Sequence, residues 1–308
     1  MSQLNDSGGR PYDLGASEYL VYRVLVERRE QDNHETGRTK FFKLACLTDR
    51  RLLEQEGLDV GFPRHWYKYG EVVEEHSIDS SVIFAPSANY QAGQAYYPAN
   101  QVSEADFPLD EGIKNPIFKT ANAVVQEHGK KNRKQLEKLQ YREYASEEFI
   151  ERYSDLRWHL SAESQTREGG QQSLDVFSDG PTRTEQLLDE MFLTYPEDEY
   201  EELYEHYLTW DDTMRMLVEE GAHPGRQLAF LEFFIEKLSQ ITLRFEYRRN
   251  VPEERLEAWR EERPDQIEEL DIKLESVRQR LIEQRPTSEI FYELSESYDR
   301  VILGAEGE

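Results

Sequence analysis

The chain contains a single cysteine, Cys46, in 308 residues. An internal disulfide needs two cysteines and a multi-cysteine metal site needs more, so the sequence excludes both. Cys46 stands in the apolar stretch FFKLACL, where we expect a small buried residue. The seven histidines form neither an HExxH nor an HxH pattern. No metal ion and no cofactor is therefore predicted.

Long apolar runs are also missing. No stretch of about 18 apolar residues occurs, so we expect no membrane contact and no membrane-spanning segment. The opening residues, MSQLNDSGGRPYDLG, lack the charged and then apolar order of a secretory signal. These absences, together with the scarcity of cysteine, predict a cytoplasmic protein.

Motifs of the common catalytic machineries are absent as well. The sequence has no GxxxxGK[ST] or GxGxxG loop for phosphates and no GxSxG nucleophile turn. Acidic runs such as PEDEYEE and WDD could supply paired carboxylates, but among 63 acidic residues they are typical of a solvated surface. The sequence favours a non-enzymatic role without excluding catalysis.

What the chain has in abundance is negative charge. It carries 63 Asp and Glu against 37 Lys and Arg, for a net charge of -26, and only 11 of the basic residues are lysine. Self-repulsion of this size is screened within about 3 Å at 1 M salt, where acidic surfaces keep proteins soluble. We therefore expect a protein from a salt-adapted microbe.

The charge is unevenly distributed along the chain. Residues 1–145 hold 19 basic and 22 acidic residues, net -3, whereas residues 146–308 hold 18 and 41, net -23. This difference predicts two modules with different surfaces. A near-neutral surface is unusual in such an acidic protein, and a binding face would account for it.

Hydrophobic spacing predicts a mostly α fold with a small β part (α+β). The predicted organisation is a disordered tail (1–15), a helical domain with a small β-hairpin (16–145), a helix followed by a flexible linker (146–180), and an acidic all-helical domain (181–308). The linker is assigned from residues 161–173, SAESQTREGGQQS, which lack apolar periodicity.

Within the first domain, helices are predicted over 17–31, from Thr39 to a C-cap at Gly57, through RHWYKYGEVV to about Ser77, and from Asn115 with Pro116 in its first turn. Two strands around a glycine-containing loop are predicted in SVIFAPSANYQAGQAYYP. In the second half, Ser146 is the expected cap of one helix, and Thr182 with Glu185 forms a capping box for another.

The last part of the chain is interpreted as helices interrupted by proline. A strongly apolar helix is predicted in GRQLAFLEFFIEKLSQITLRFEYRR, with the centre of the second core on it. Pro252, Pro264 and Pro286 are then expected to divide the tail into three helices.

Residues 64–73, RHWYKYGEVV, concentrate aromatic and basic side chains in a chain that is otherwise acidic. Together with RTKFFKLACLTDRRLLEQEG before it, this segment resembles the Panacea domain family, which has a QKLLY helix, a spacer and an AW.YGPV segment. The residues that match are Lys40, Leu44 and Leu47 in the first segment and Trp66, Tyr69, Gly70 and Val72 in the second. Thr39 stands in place of the leading glutamine and Glu71 in place of the proline.

The resemblance covers about residues 17–130, and it implies a protein-binding function. Panacea domains are antitoxins of toxin–antitoxin pairs, and the family includes an adaptor that presents its toxin to a protease. By this resemblance the partner is another protein, such as a cognate toxin. Aromatic anchors with a basic rim are also typical of interface hot spots. The candidate partner-binding residues are His65, Trp66, Tyr67, Lys68, Tyr69 and Gly70.

Two alternatives remain open. The elements predicted before the basic stretch KKNRKQLEKLQYR have the order helix–helix–helix–hairpin–helix, which is compatible with a winged-helix nucleic-acid binder. In such a protein, phosphates or an acidic partner would be contacted by Lys130, Lys131, Arg133 and Lys134. The same stretch is also consistent with a solvent-exposed helix. In the second alternative, Arg152 and His159 lie two turns apart on one helix, the arrangement by which a HEPN-like ribonuclease holds a phosphate and moves a proton.

Overall fold

A computed structural model describes residues 14–32, 36–84, 95–168 and 182–284. The helices are α1 (Ala16–Asp32), α2 (Arg38–Glu56), α3 (Glu111–His128), α4 (Arg133–Tyr144), α5 (Glu148–Glu168), α6 (Arg183–Leu193), α7 (Tyr204–Glu219), α8 (Pro224–Leu238), α9 (Arg244–Glu246) and α10 (Glu253–Gln284). The strands are β1 (Thr36–Gly37), β2 (Arg64–Tyr67), β3 (Gly70–Val73), β4 (Ile83–Phe84), β5 (Ala95–Pro98) and β6 (Arg248–Arg249). The fold is mostly α with a small β part, which confirms the predicted fold class.

The chain divides into two compact units. The first consists of Met1–Ser146 and Ser239–Glu261, and the second of Glu147–Leu238 and Glu262–Glu308. The first unit thus includes a segment that the sequence prediction placed in the acidic helical domain. That segment is balanced in charge, so the first unit has a net charge of -3 and the second of -23. The contrast in charge therefore also separates the two compact units.

The core of the first unit lies between α1, α2 and α3. Leu20 and Val24 of α1 and Phe41 and Leu44 of α2 are fully buried there. Cys46 is fully buried as expected, and burial raises the pKa of its thiol above the usual range. Gly57 ends α2 with φ 62°, the left-handed conformation predicted for a C-cap glycine.

Two three-stranded antiparallel sheets complete the first unit. One has the order β1–β5–β4, and the pairing of Ile83 with Pro98 confirms the two strands predicted around a glycine-containing loop. The other has the order β3–β2–β6, with Arg64 paired to Val73 on one side and to Arg249 on the other. This second sheet contains the candidate binding segment.

The prediction of a helix through RHWYKYGEVV is wrong, because the segment forms the hairpin β2–β3. Tryptophan, tyrosine and valine favour strands. The charged side chains obscured the alternation expected of a strand, since Arg64 and Glu71 are buried in ion pairs rather than solvated. The third strand, β6, lies in RFEYRR, a segment predicted to be helical.

Helix boundaries at proline were also mispredicted. Helix α3 begins at Glu111, one turn before Asn115, and Pro116 lies inside it. Helix α10 runs without a break through Pro264, which was expected to end a helix. A proline removes one hydrogen bond from a helix but does not have to end it when neighbouring turns are stable. Pro286 lies outside the described residues.

In the second unit, α5 packs against α6 and α8, and α7 packs against both of these helices. Its core contains a cluster of buried aromatic rings formed by Phe149, Tyr200, Tyr207, Trp210 and Phe234. Such ring pairs add to the free energy gained by burial alone.

Local signals in the second unit were partly interpreted correctly. The Thr182–Glu185 capping box is present at the start of α6, as predicted. Helix α5 begins at Glu148, two residues after Ser146, and continues to Glu168, so the linker predicted over 161–173 is wrong for its first eight residues. Its remaining residues, and all of the 1–15 tail except Leu14 and Gly15, lie outside the described part of the chain.

No helix in the described ranges has both the length and the apolar character required to cross a bilayer.

Candidate docking hairpin and its cavity

The hairpin β2–β3 turns tightly at Lys68 and Tyr69, between the paired residues Tyr67 and Gly70. Gly70 has φ 87°, a left-handed value that a glycine adopts without strain. A β-carbon at this position would lie 2.7 Å from Oε1 of Gln140, a side chain that is fully buried. The turn therefore requires glycine both for its backbone angle and for the space beside it.

Side chains from two helices hold the backbone of this turn. The Lys43 ammonium donates hydrogen bonds to the carbonyl of Glu71, at 2.9 Å, and to that of Tyr69. The Tyr141 hydroxyl donates to the carbonyl of Lys68. These carbonyl groups are satisfied within the unit, so addition of a partner strand at them would have to displace Lys43 or Tyr141.

A buried ionic network attaches the hairpin to α2. Glu71 accepts two hydrogen bonds from Arg50, at 2.7 and 2.9 Å, and another from Arg64. Arg64 also donates to Asp49 at 2.6 Å. Burial raises the pKa of the Asp49 carboxyl, although the adjacent Arg64 charge opposes the shift. Removing one member of such a network leaves a charge buried without its partner.

The predicted contact residues differ in their accessibility. Trp66 is only 1% exposed and packs edge-on against Tyr141, with ring centroids 5.6 Å apart. It supports the hairpin from inside and offers no surface to a partner. Tyr67, Lys68 and Tyr69 are half-buried, and the Lys68 ammonium lies 5.2 Å from the centre of the Tyr69 ring. The accessible part of the segment is thus its tip.

His65 and Gly70 are also buried, but His65 lines a cavity of about 420 Å³ beside the hairpin. The residues that line this cavity are Arg38, Thr39, Phe42, Lys43, His65, Tyr67, Tyr69, Val72, Val73, Glu74, His76 and Arg255. The His65 ring packs edge-on against Trp259, with centroids 4.8 Å apart. Its Nδ1 atom is buried and has no hydrogen-bond partner in the described residues.

The cavity is electropositive although the protein is strongly acidic. Burial, and then the charges of Arg244 and Arg255, lower the pKa of His65 to about 3, so its imidazole is neutral near pH 7. Among the described residues, the lining includes the cations Arg38, Lys43 and Arg255 and a single carboxylate, Glu74. Glu74 lies 3.3 Å from Arg255. These four charged side chains of the described lining sum to +2.

The basic residues proposed to contact phosphates lie at the start of α4 and in the turn before it. Lys130, Arg133 and Lys134 are exposed, and Lys131 is half-buried with its ammonium 3.3 Å from the carbonyl of Glu127. The Arg133 guanidinium lies 3.2 Å from the carboxylate of Glu137. The helix that carries them begins with the capping box of Asn132. These residues form a separate surface from the lining of the cavity.

Arg152 and His159 both lie on α5, but each already has protein partners. Arg152 lies 2.6 Å from Glu148, 3.6 Å from Glu190 and 3.8 Å from Asp155. His159 is hydrogen-bonded to the hydroxyl of Thr184 at 3.0 Å. A phosphate would have to compete with three carboxylates for this arginine, which does not favour the ribonuclease hypothesis.

In the described ranges, no three His, Cys, Asp or Glu side chains are grouped as they would be to hold a metal ion.

The sequence interpretation missed Lys43, Arg64 and Glu71 as members of the site. The sequence does place these charged residues on the apolar stripe of a helix or among apolar strand residues. Charged residues are rarely buried unless they are paired, so this placement could have indicated a buried ionic network.

No family model matches this chain, and neither a curated protein nor a solved structure is significantly similar to it. The resemblance to the Panacea family therefore stays a prediction, and the functional interpretation depends on the residues described above.

Proposed function

We propose that the chain is a non-enzymatic protein-binding module, similar in role to Panacea-type antitoxins or adaptors, in a salt-adapted microbe. The partner protein docks on the tip of the β2–β3 hairpin. Tyr67, Lys68 and Tyr69 make the contacts, Trp66 and Gly70 fix the shape of the tip, and His65 lies behind it.

One observation carries this proposal: the backbone of the tip is fixed before any partner arrives. Lys43 and Tyr141 hold its carbonyl groups, and the ion pairs of Glu71 anchor the strand that follows. A surface held in its bound shape loses less conformational entropy on association. Large aromatic side chains beside a lysine on such a surface are suited to interface anchors.

Site-specific photo-crosslinking tests the proposal. A Tyr69→p-benzoylphenylalanine variant, expressed in the native host and lysed at native salt, is expected to crosslink to one protein that mass spectrometry identifies. The matched control is Phe118→p-benzoylphenylalanine, because Phe118 is a 40% exposed ring in the same unit and lies outside the hairpin. The control variant should not crosslink to that protein.

Affinity measurements with the purified partner then test whether it docks on the hairpin tip. The double variant Tyr67→Ala/Tyr69→Ala should weaken binding by about 100-fold, since each aromatic hot spot contributes roughly 1–2 kcal/mol or more. Lys119→Glu, an exposed change on α3, should leave the affinity unchanged. Equal affinity of the double variant and the wild type would refute docking on this hairpin.

Nucleic-acid binding is a second candidate, favoured by the exposure of Lys130, Arg133 and Lys134. A labelled DNA duplex should then bind, and replacement of these three residues and Lys131 by glutamate should abolish binding. The expected salt dependence is steep, because each neutralised phosphate releases counterions. Binding that persists in molar KCl would be needed for a role in a salt-adapted cell, and its absence would remove this candidate.

A further inference from the structure

The cavity beside the hairpin shares Tyr67 and Tyr69 with the tip, but the docking proposal does not account for the rest of its lining. Its volume of about 420 Å³ lies within the usual range for small-molecule sites, which is roughly 300–1,000 Å³. The described residues that line it all belong to the first unit. Any ligand that binds there is therefore held by one compact unit.

The chemistry of the lining combines two features. Phe42, Tyr67, Tyr69, Val72 and Val73 provide aromatic and aliphatic surface for an apolar group. In the part of the lining that the structure describes, three cations face one carboxylate, so the cavity attracts an anion and repels a cation. A ligand that matches both features has an apolar body and an anionic end.

His65 adds a polar ring to the lining of the cavity. Its side chain is 7% exposed, it lines the cavity, and its Nδ1 has no hydrogen-bond partner in the described residues. The imidazole is neutral near pH 7, so His65 neither adds to nor cancels the positive charge of the lining.

We infer that this cavity binds a small organic acid, in which a carboxylate is joined to an aromatic ring or a short apolar chain. Arg38 attracts the carboxylate. Its side chain is exposed, and its guanidinium lies 5.1 Å from the centre of the Phe42 ring. The aromatic side chains contact the apolar body, and His65 lies beside them in the lining. This inference does not depend on the docking proposal.

Calorimetry with a matched pair of ligands tests the inference. The acid 3-phenylpropionate should bind the full chain, and its uncharged isostere 3-phenylpropanamide should bind at least about tenfold more weakly, because charge-assisted hydrogen bonds are lost. The titrations are run at a salt concentration at which circular dichroism shows the chain to be folded. Equal affinity of acid and amide, or binding of neither, would overturn the inference.

Two further measurements locate the bound acid. Arg38→Glu, a change at an exposed residue, should weaken binding of 3-phenylpropionate by at least about tenfold. Lys119→Glu should leave this affinity unchanged. With histidine-selective isotope labelling, the acid should shift the ring signals of His65 and His76. Those of His159, His206 and His223, which belong to the second unit, should not move. Shifts confined to the second unit would contradict the assignment.

A titration with a peptide distinguishes a free acid from a carboxylate carried by a partner protein. An acetylated and amidated peptide with one internal glutamate beside a tyrosine is titrated into the same protein. Weaker binding than 3-phenylpropionate supports a free acid as the ligand. Tighter binding, with competition between the two, would assign the cavity to a peptide and overturn the inference.

Discussion

Gly70 and Gln140 lie so close together that no side chain fits between them. A β-carbon on Gly70 would come within 2.7 Å of Gln140 Oε1 and 3.3 Å of the Lys43 ammonium. Both of these side chains are fully buried and cannot move aside into solvent. This contact couples the tip of the hairpin to α4, so the tip cannot change without disturbing the core beneath it.

Gly70→Ala should therefore lower the free energy of unfolding by at least about 2 kcal/mol. Part of this comes from the left-handed backbone angle, which costs a non-glycine residue about 1–2 kcal/mol, and the rest from the contact with Gln140. Urea unfolding followed by circular dichroism measures the effect. Gly57→Ala is the matched control, because Gly57 has φ 62° but nothing within 4 Å of the added carbon. A loss no larger than that of the control would disprove the steric part.

Glu71→Gln should be strongly destabilising. The change removes the negative charge that Arg50 and Arg64 share, and it leaves Arg64 buried with Asp49 alone. Breaking a buried ion pair from one side costs about 3–5 kcal/mol. Because two compact units are present, hydrogen exchange of the β2 and β3 amides should be followed together with global unfolding.

The control for this network is Glu54→Gln. Glu54 lies 3.8 Å from Arg50, but its side chain is 51% exposed. Such a surface pair contributes about 0–1 kcal/mol. If both variants lose the same small amount, Glu71 does not anchor the hairpin as described.

Pro264→Ala should stabilise α10. Pro264 is exposed inside this helix and cannot donate a backbone hydrogen bond to the carbonyl of Arg260. Proline is about 3 kcal/mol less favourable than alanine inside a helix. We expect a gain of about 1–3 kcal/mol, measured as slower amide exchange between Glu257 and Glu268. Pro252→Ala, just before the helix, should change exchange little, and faster exchange in Pro264→Ala would contradict the prediction.

Sequence patterns predicted the elements whose stability is local. Helices α1 and α2, the Gly57 cap and the Thr182 capping box all follow from residues within a few turns of one another. The β2–β3 hairpin was not predicted because its polar strand residues are buried by partners elsewhere in the chain. Strand β6, which pairs with β2, comes from a segment far along the sequence. Local periodicity carries no information about such a partner.

The candidate site was predictable from the sequence only in part. The tip residues stand out by composition, because aromatic and basic side chains cluster there within an acidic chain. The cavity does not stand out, since Arg38, His65 and Arg255 are brought together only by the fold. The burial of Trp66 was not predictable either, because tryptophan is suited both to cores and to interfaces.

His65 gives the protein a specific sensitivity to acid. Its imidazole is neutral in the folded state because burial, Arg244 and Arg255 lower its pKa from 6.5 to about 3. In the unfolded chain it takes up a proton as the pH falls below about 6.5. Between these two values the unfolded state binds one more proton than the folded state, so acid favours unfolding by about 1.4 kcal/mol per pH unit.

A His65→Phe variant removes this linkage and keeps a ring against Trp259. Other titrating groups are common to both proteins, so the difference in unfolding free energy between wild type and variant isolates His65. That difference should shift in favour of the variant by about 2 kcal/mol between pH 7 and pH 5. Urea titrations at each pH provide it, and an NMR titration of the His65 ring checks its cause. A ring that titrates near pH 6.5 in the folded protein, or a difference independent of pH, would show that His65 is not held neutral by its surroundings.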